Sequence, residues 1–232
     1  MPVPDPDREG RAVVPAGQLA SVWPCPPEGP DQPRANWLQA AVHRLVATYT
    51  RPGDPVLLLT PPPDDMPAAG RRATPAARVT DTGWSVIRLG RTVQVRPAPA
   101  TRPSESGPEP RIPDDGPDSD RRPLLVTVVE PTRTGWIHEV PWARLVTPDG
   151  LLAVISHSDS VAGLLIDPTD ALATATRRHG LALLHRFVLL EISLDQLDER
   201  PTPLPAGTAA RRVHSDLLLV RPIAFAAARE HS

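Results

Sequence analysis

The stretch Tyr49-Thr50-Arg51-Pro52-Gly53-Asp54-Pro55-Val56-Leu57-Leu58-Leu59-Thr60 decides the fold class, because a helix ends, the chain turns and a strand begins within it. Upstream, Ala35 to Thr50 reads as an amphipathic helix. Trp37, Ala41, Leu45 and Tyr49 form one i, i+4 row, and Leu38, Val42 and Val46 form its neighbour. Arg51-Pro52-Gly53-Asp54 stops the helix, since proline removes a donor and fixes φ. Pro55 to Thr60 then holds an apolar run between breakers, as expected of a strand buried on both faces.

The same alternation continues downstream. Thr74 to Thr82 reads as a weak helix and Trp84 to Leu89 as a strand, with Thr92 to Val95 extending that edge beyond the Gly90-Arg91 turn. Leu124 to Val129 is the clearest strand. Trp136 to Val146 is a short helix or loop, and Thr147-Pro148-Asp149-Gly150 is a turn with its glycine last. Leu151 to Ser156 is again a buried strand. Asp167-Pro168 opens a helix with N-cap and N1 residues in the favoured order, and Gly180 closes it. Leu181 to Ile192 and Val213 to Val220 supply two final strands. Strand and helix in alternation predict an α/β three-layer sandwich.

Composition bounds the rest. The 232 residues include 32 prolines, one cysteine and 25 basic residues, all of them arginine. That bias fits a GC-rich bacterial gene. The prolines cluster in residues 1–33, 97–123 and 200–212. These stretches lack the large apolar side chains needed to offset ordering entropy, apart from a patch around Leu19, Val22 and Trp23. The expected organisation is a Pro-rich arm at 1–33, a first half-domain at 34–96, a disordered linker at 97–123, a second half-domain at 124–222 and a tail at 223–232. A net charge of -2 gives no support to nucleic-acid binding, although local basic faces remain open. No apolar run approaches a membrane span, and Met1 to Arg11 has no signal-peptide core, so the expected location is cytoplasmic. The lone Cys25 excludes an internal disulfide and a multi-thiolate metal site.

Two elements carry a family resemblance. Val46 to Leu57, with its Tyr49-Thr50 and Pro52-Gly53-Asp54, and Ala143 to Ile155, with Leu145 and Pro148-Asp149-Gly150, resemble class I S-adenosylmethionine-dependent methyltransferases. More narrowly they resemble bacterial DNA methylases acting on exocyclic amino groups of adenine or cytosine. Leu165-Ile166-Asp167, Gly180-Leu181 and His214 to Arg221 continue the similarity in order. The resemblance implies that the sandwich is Rossmann-like, with a seven-stranded, mostly parallel sheet and an antiparallel last strand. The family's third strand would fall in 97–123, so a sheet reduced at that edge is expected.

The resemblance also implies a cofactor turn after the first strand, an acid after the second and an Asp/Asn/Ser-Pro-Pro-aromatic loop after the fourth. The first position reads Thr60-Pro61-Pro62-Pro63-Asp64-Asp65, with no glycine, and consecutive prolines offer no N–H donors. Thr60, Asp64 and Asp65 are the candidate cofactor contacts, the two acids being otherwise solvated loop residues. The second, taken after Val86-Ile87, reads Arg88-Leu89-Gly90-Arg91, without a carboxylate. The third reads Val129-Glu130-Pro131-Thr132-Arg133, making Glu130 and Pro131 the candidate catalytic residues. Trp136, as a stacking or a packing ring, and His157, as a ligand contact or a turn cap, are the candidate substrate residues. His138-Glu139 is no zincin motif, because Trp142 stands at the second histidine position. The reading is a methyltransferase-fold protein that has lost S-adenosylmethionine binding and catalysis and serves an unknown protein partner. An active enzyme with a divergent site, using S-adenosylmethionine on nucleic acid or a small molecule, is the alternative.

Overall fold

A computed structural model describes residues 21–25, 36–62, 79–99, 120–161, 164–198 and 212–223. In chain order the elements are β1 (Ser21–Pro24), α1 (Asn36–Tyr49), β2 (Pro55–Thr60), a 3-10 turn (Thr80–Thr82) running into α2 (Gly83–Arg88), and β3 (Thr92–Pro97). After them come β4 (Arg122–Val128), a 3-10 turn (Gly135–His138), α3 (Trp142–Leu145), β5 (Val146–Ser156) and a hairpin of β6 (Asp159–Val161) and β7 (Leu164–Ile166). The chain closes with α4 (Thr169–Arg178), β8 (Leu181–Leu190), α5 (Asp195–Asp198) and β9 (His214–Pro222).

One seven-stranded sheet runs in the order β1-β8-β9-β5-β4-β2-β3, and β6-β7 form a separate pair. All neighbours pair parallel except β9, which is antiparallel to both β5 and β8. The fold is therefore a Rossmann-like three-layer sandwich with the antiparallel last strand the sequence predicts. Period-two alternation splits the core. Val56, Leu58, Leu124 and Val126 face α1 and α2 with Trp37, Leu45 and Val86. Leu57, Leu59, Leu125 and Leu152 face the other layer with Trp136, Trp142 and Leu172. Both faces are covered, which is why the strands read as continuous apolar runs.

The deciding turn is pinned at the amino end of the sheet. Arg91 donates from Nε to Thr50 Oγ1 at 3.0 Å and from Nη2 to the Thr50 carbonyl at 2.7 Å, and its Nη1 reaches the Leu89 carbonyl. Gly53, at φ 91°, donates its N–H to Gly90, itself at φ 73°. Both turns need left-handed backbone, which glycine adopts without steric cost.

Four expectations are corrected. Trp84 to Leu89 is helix rather than strand: Ser85 and Val86 are buried while Trp84 and Ile87 are exposed, a helical and not an alternating pattern. The second parallel strand is Thr92–Pro97. Thr147 to Gly150 lies inside β5. There the register jumps from Arg122↔Val146 to Leu124↔Leu151, so these residues form a bulge in the strand. Ser21–Pro24, within the Pro-rich arm, is an edge strand beside β8, with Trp23 packed 4.3 Å from Phe187 and under Arg44. Of the expected Thr74–Thr82 helix, 74–78 lie outside the described residues, and Thr80–Thr82 is a 3-10 turn. Asp167 also caps from one position earlier than expected, accepting the Thr169 N–H at 3.0 Å.

Candidate functional site

In an open parallel sheet, ligands bind outside the carboxyl ends of the strands where the order reverses. Here the chain passes from β2 outward to β3 and returns on the other side at β4, so the reversal lies between β2 and β4. The residues ending those strands are Thr60-Pro61-Pro62 and Val129-Glu130-Pro131.

The backbone there is heavily committed. Thr127 Oγ1 donates to the Leu59 carbonyl at 2.9 Å, and Ser156 Oγ to the Val129 carbonyl at 2.8 Å. The Val129 N–H bonds the Ile155 carbonyl, and the Ala98 N–H takes the Thr60 carbonyl, each at 2.8 Å. Thr60 Oγ1 turns toward the Arg96 carbonyl at 3.5 Å. Pro61, Pro62, Pro131 and Ala98 are all buried. Asp64 and Asp65 lie outside the described residues. With β3 reassigned, the place of the expected acid moves to Arg96-Pro97-Ala98-Pro99, where there is again no carboxylate.

The sheet brings Glu130 and His157 together, with His157 Nε2 3.9 Å from Glu130 Oε2. His157 is 8% exposed. Burial lowers its pKa to about 4, the Arg212 guanidinium pushes the same way, and Asp159 opposes them. The imidazole is thus neutral at physiological pH. Trp136 is corrected as a substrate contact: it is 1% exposed, packed 6.3 Å from Trp142 in the lower core, so no ring face is free to stack on a base. Trp142 Nε1 in turn donates to the Ile137 carbonyl at 2.9 Å.

A second polar group at the same edge was not legible in the sequence. Glu191 Oε1 accepts Ser215 Oγ at 2.7 Å and forms an ion pair with Arg212, whose Nε lies 2.8 Å away. Arg212 also lies 5.9 Å from the centroid of the Trp37 ring. Asp216 is 3% exposed and pairs with Arg186 at 2.9 Å. Burial alone would raise the Asp167 pKa, but the Thr169 hydrogen bonds, with Arg186 and His214 nearby, hold it below the ordinary value. The one available signal was a polar residue at the end of a buried strand, as Glu191 directly after β8 and Ser215 near the start of β9. Burial pushes the Cys25 thiol up to about 11 against the pull of Arg44, which leaves it protonated.

Among the described residues no group of three His, Cys, Asp or Glu side chains is placed to hold a metal ion, and no helix is long and apolar enough to cross a membrane. No family model matches the chain, and no curated protein matches it. Among solved structures it is similar to one described as a "putative methyltransferase" from Thermoplasma acidophilum, with a TM-score of 0.36 and 7% identity, over 77% of this chain and 74% of that one.

Proposed function

We propose that this chain is a methyltransferase-fold protein without S-adenosylmethionine binding or methyl transfer, acting in the cytoplasm as an interaction or regulatory module for a protein partner. The observation that carries this reading is the Thr60-Pro61-Pro62 turn at the end of β2. A nucleoside cradle there needs backbone N–H donors and room for close approach. Prolines supply no donor, both of these are buried, and the Thr60 carbonyl is already taken by Ala98. The Arg96-Pro97-Ala98-Pro99 segment adds no acceptor for ribose hydroxyls. These residues do not fit the cofactor. Calorimetry with S-adenosylmethionine is expected to show no saturable heat, and micromolar binding would overturn the reading.

The Glu130–His157 pair favours a second reading, an active methyltransferase with a divergent site acting on nucleic acid or a small molecule. A carboxylate and a neutral imidazole at the carboxyl edge are the side chains that general acid–base chemistry uses. Transfer of labelled methyl groups to DNA, RNA or lysate, lost in Glu130→Gln, would establish it. No transfer to any of them removes it.

A further inference from the structure

β3 ends the sheet on one side, and among the described residues nothing pairs with its outer edge. The hydrogen-bond directions along it follow from two bonds. Thr92 N–H goes to the Asp54 carbonyl and Ala98 N–H to the Thr60 carbonyl, so the even-numbered residues bond inward to β2. Val93 and Val95 therefore present their N–H and C=O groups outward. Their side chains share the face covered by α2, where Val93 packs against the core and approaches Gly83. That face also exposes apolar surface: Trp84 is 68%, Ile87 48% and Val95 39% exposed. An open edge of this kind is normally blunted by charge, and this one carries little. Arg96, the one charged residue of β3, already pairs with Asp120 at 3.8 Å.

We propose that this edge is an interface with a second copy of the chain, β3 pairing antiparallel with β3 of the other copy about a two-fold axis through Gln94. Only a register centred on a residue keeps both α2 helices on one face of the joined sheet, because side chains alternate with period two. Centring on Gln94 sets Val93 opposite the other copy's Val95, and both have outward-pointing groups, so each pair exchanges both N–H···O bonds. The same register puts apolar opposite apolar, Gln94 opposite itself and Arg96 opposite Thr92, with no like charges facing each other. The α2 helices then flank the joint on one side and cover Trp84 and Ile87. This inference rests on the strand edge and is independent of the reading of the carboxyl-edge site.

Sedimentation of the full chain over a micromolar concentration series is expected to show a monomer–dimer equilibrium. Val95→Pro removes an outward N–H and leaves the β2 ladder intact, and it is expected to weaken the dimer roughly tenfold or more. Gln94→Cys is expected to form a covalent dimer on mild oxidation, because Cα atoms in a non-hydrogen-bonded antiparallel pair lie about 4.5 Å apart, within disulfide reach. Thr92→Cys, placed opposite Arg96, is expected to form none, and buried Cys25 gives no background. The Cys test still reads out if the proline variant fails to fold. A chain that stays monomeric, or a dimer in which Gln94→Cys does not cross-link, overturns the proposal. So does protection of the Val93 and Val95 amides from exchange in the monomer, which would mean that the chain covers its own edge.

Discussion

Replacing His157 with glutamine is expected to flatten the acid limb of the stability curve. In the unfolded chain this imidazole titrates at its ordinary value of 6.5, and in the folded protein at about 4, with burial as the largest cause. Between those values the unfolded state binds a proton that the folded state refuses. Stability is therefore complete above pH 6.5 and is lost as pH falls through the folded value. At about 1.4 kcal/mol per pH unit, the full interval is worth about 3 kcal/mol. That is a large share of the roughly 5–15 kcal/mol that holds a domain together. Urea denaturation of wild type and His157→Gln at pH 7 and again near pH 4.5 measures the difference, and subtraction removes the contribution of every other titrating group. The wild type is expected to lose about 2–3 kcal/mol more than the variant over that range. Glu130 provides the test of the reasoning. It stands 3.9 Å from Nε2, and a true ion pair would raise the histidine value instead of lowering it. Parallel pH curves for the two proteins, or an NMR titration of His157 at or above 6.5, would show that pairing outweighs burial.

Two further substitutions probe the packing of β4 and β5. A Cβ at Gly150 would meet Thr147 Oγ1 at 2.6 Å, Val146 Cγ1 at 2.9 Å and the Pro123 carbonyl at 3.0 Å, so Gly150→Ala must displace the β5 bulge. It is expected to cost about 1–3 kcal/mol, read as a thermal midpoint several degrees lower, and an unchanged midpoint would contradict the clash. Thr127→Val keeps the shape of the buried side chain and deletes the hydroxyl that bonds the Leu59 carbonyl, at a cost of about 1 kcal/mol by urea denaturation; Thr127→Ser should recover part of it, and equal stability of all three would refute that role for the bond.

The sheet was legible wherever a strand is buried on both faces. Val56 to Leu59 and Leu124 to Val126 announce themselves because both layers demand apolar side chains. Local signals failed where tertiary contacts decide. Trp84 to Leu89 has strand-like composition, yet one helical turn places Val86 inward and leaves Trp84 and Ile87 out. A run that short fits either period. Thr147-Pro148-Asp149-Gly150 has the chemistry of a turn, but the strand takes up the excess residues as a bulge and the ladder resumes at Leu151. Ser21–Pro24 was hidden by the prolines around it. Its strand exists because β8 offers a free edge to which it adds, and this is a long-range fact.

The carboxyl edge resisted sequence reading for a related reason, and its geometry separates two kinds of polar residue. Glu191, Arg212 and Ser215 are distant in the chain and meet because β9 returns antiparallel beside β8, as do Arg186 and Asp216. In this second group the charges are committed to each other at 2.8–2.9 Å, which is how a fold retains buried charge without leaving it uncompensated. Removing one partner would strand the other, so their arrangement serves the joint between the last two strands. Glu130 and His157 are not joined to each other in that way: their 3.9 Å separation exceeds a hydrogen bond, and burial together with the Arg212 guanidinium holds the histidine neutral. Catalytic use of this edge would have to run through that pair, beside a turn whose prolines offer a cofactor no N–H. The histidine titration and the calorimetry with S-adenosylmethionine therefore bear on one question from two sides. No cofactor binding leaves the edge as structure, whereas cofactor binding beside a neutral His157 and the Glu130 carboxylate would make it a site.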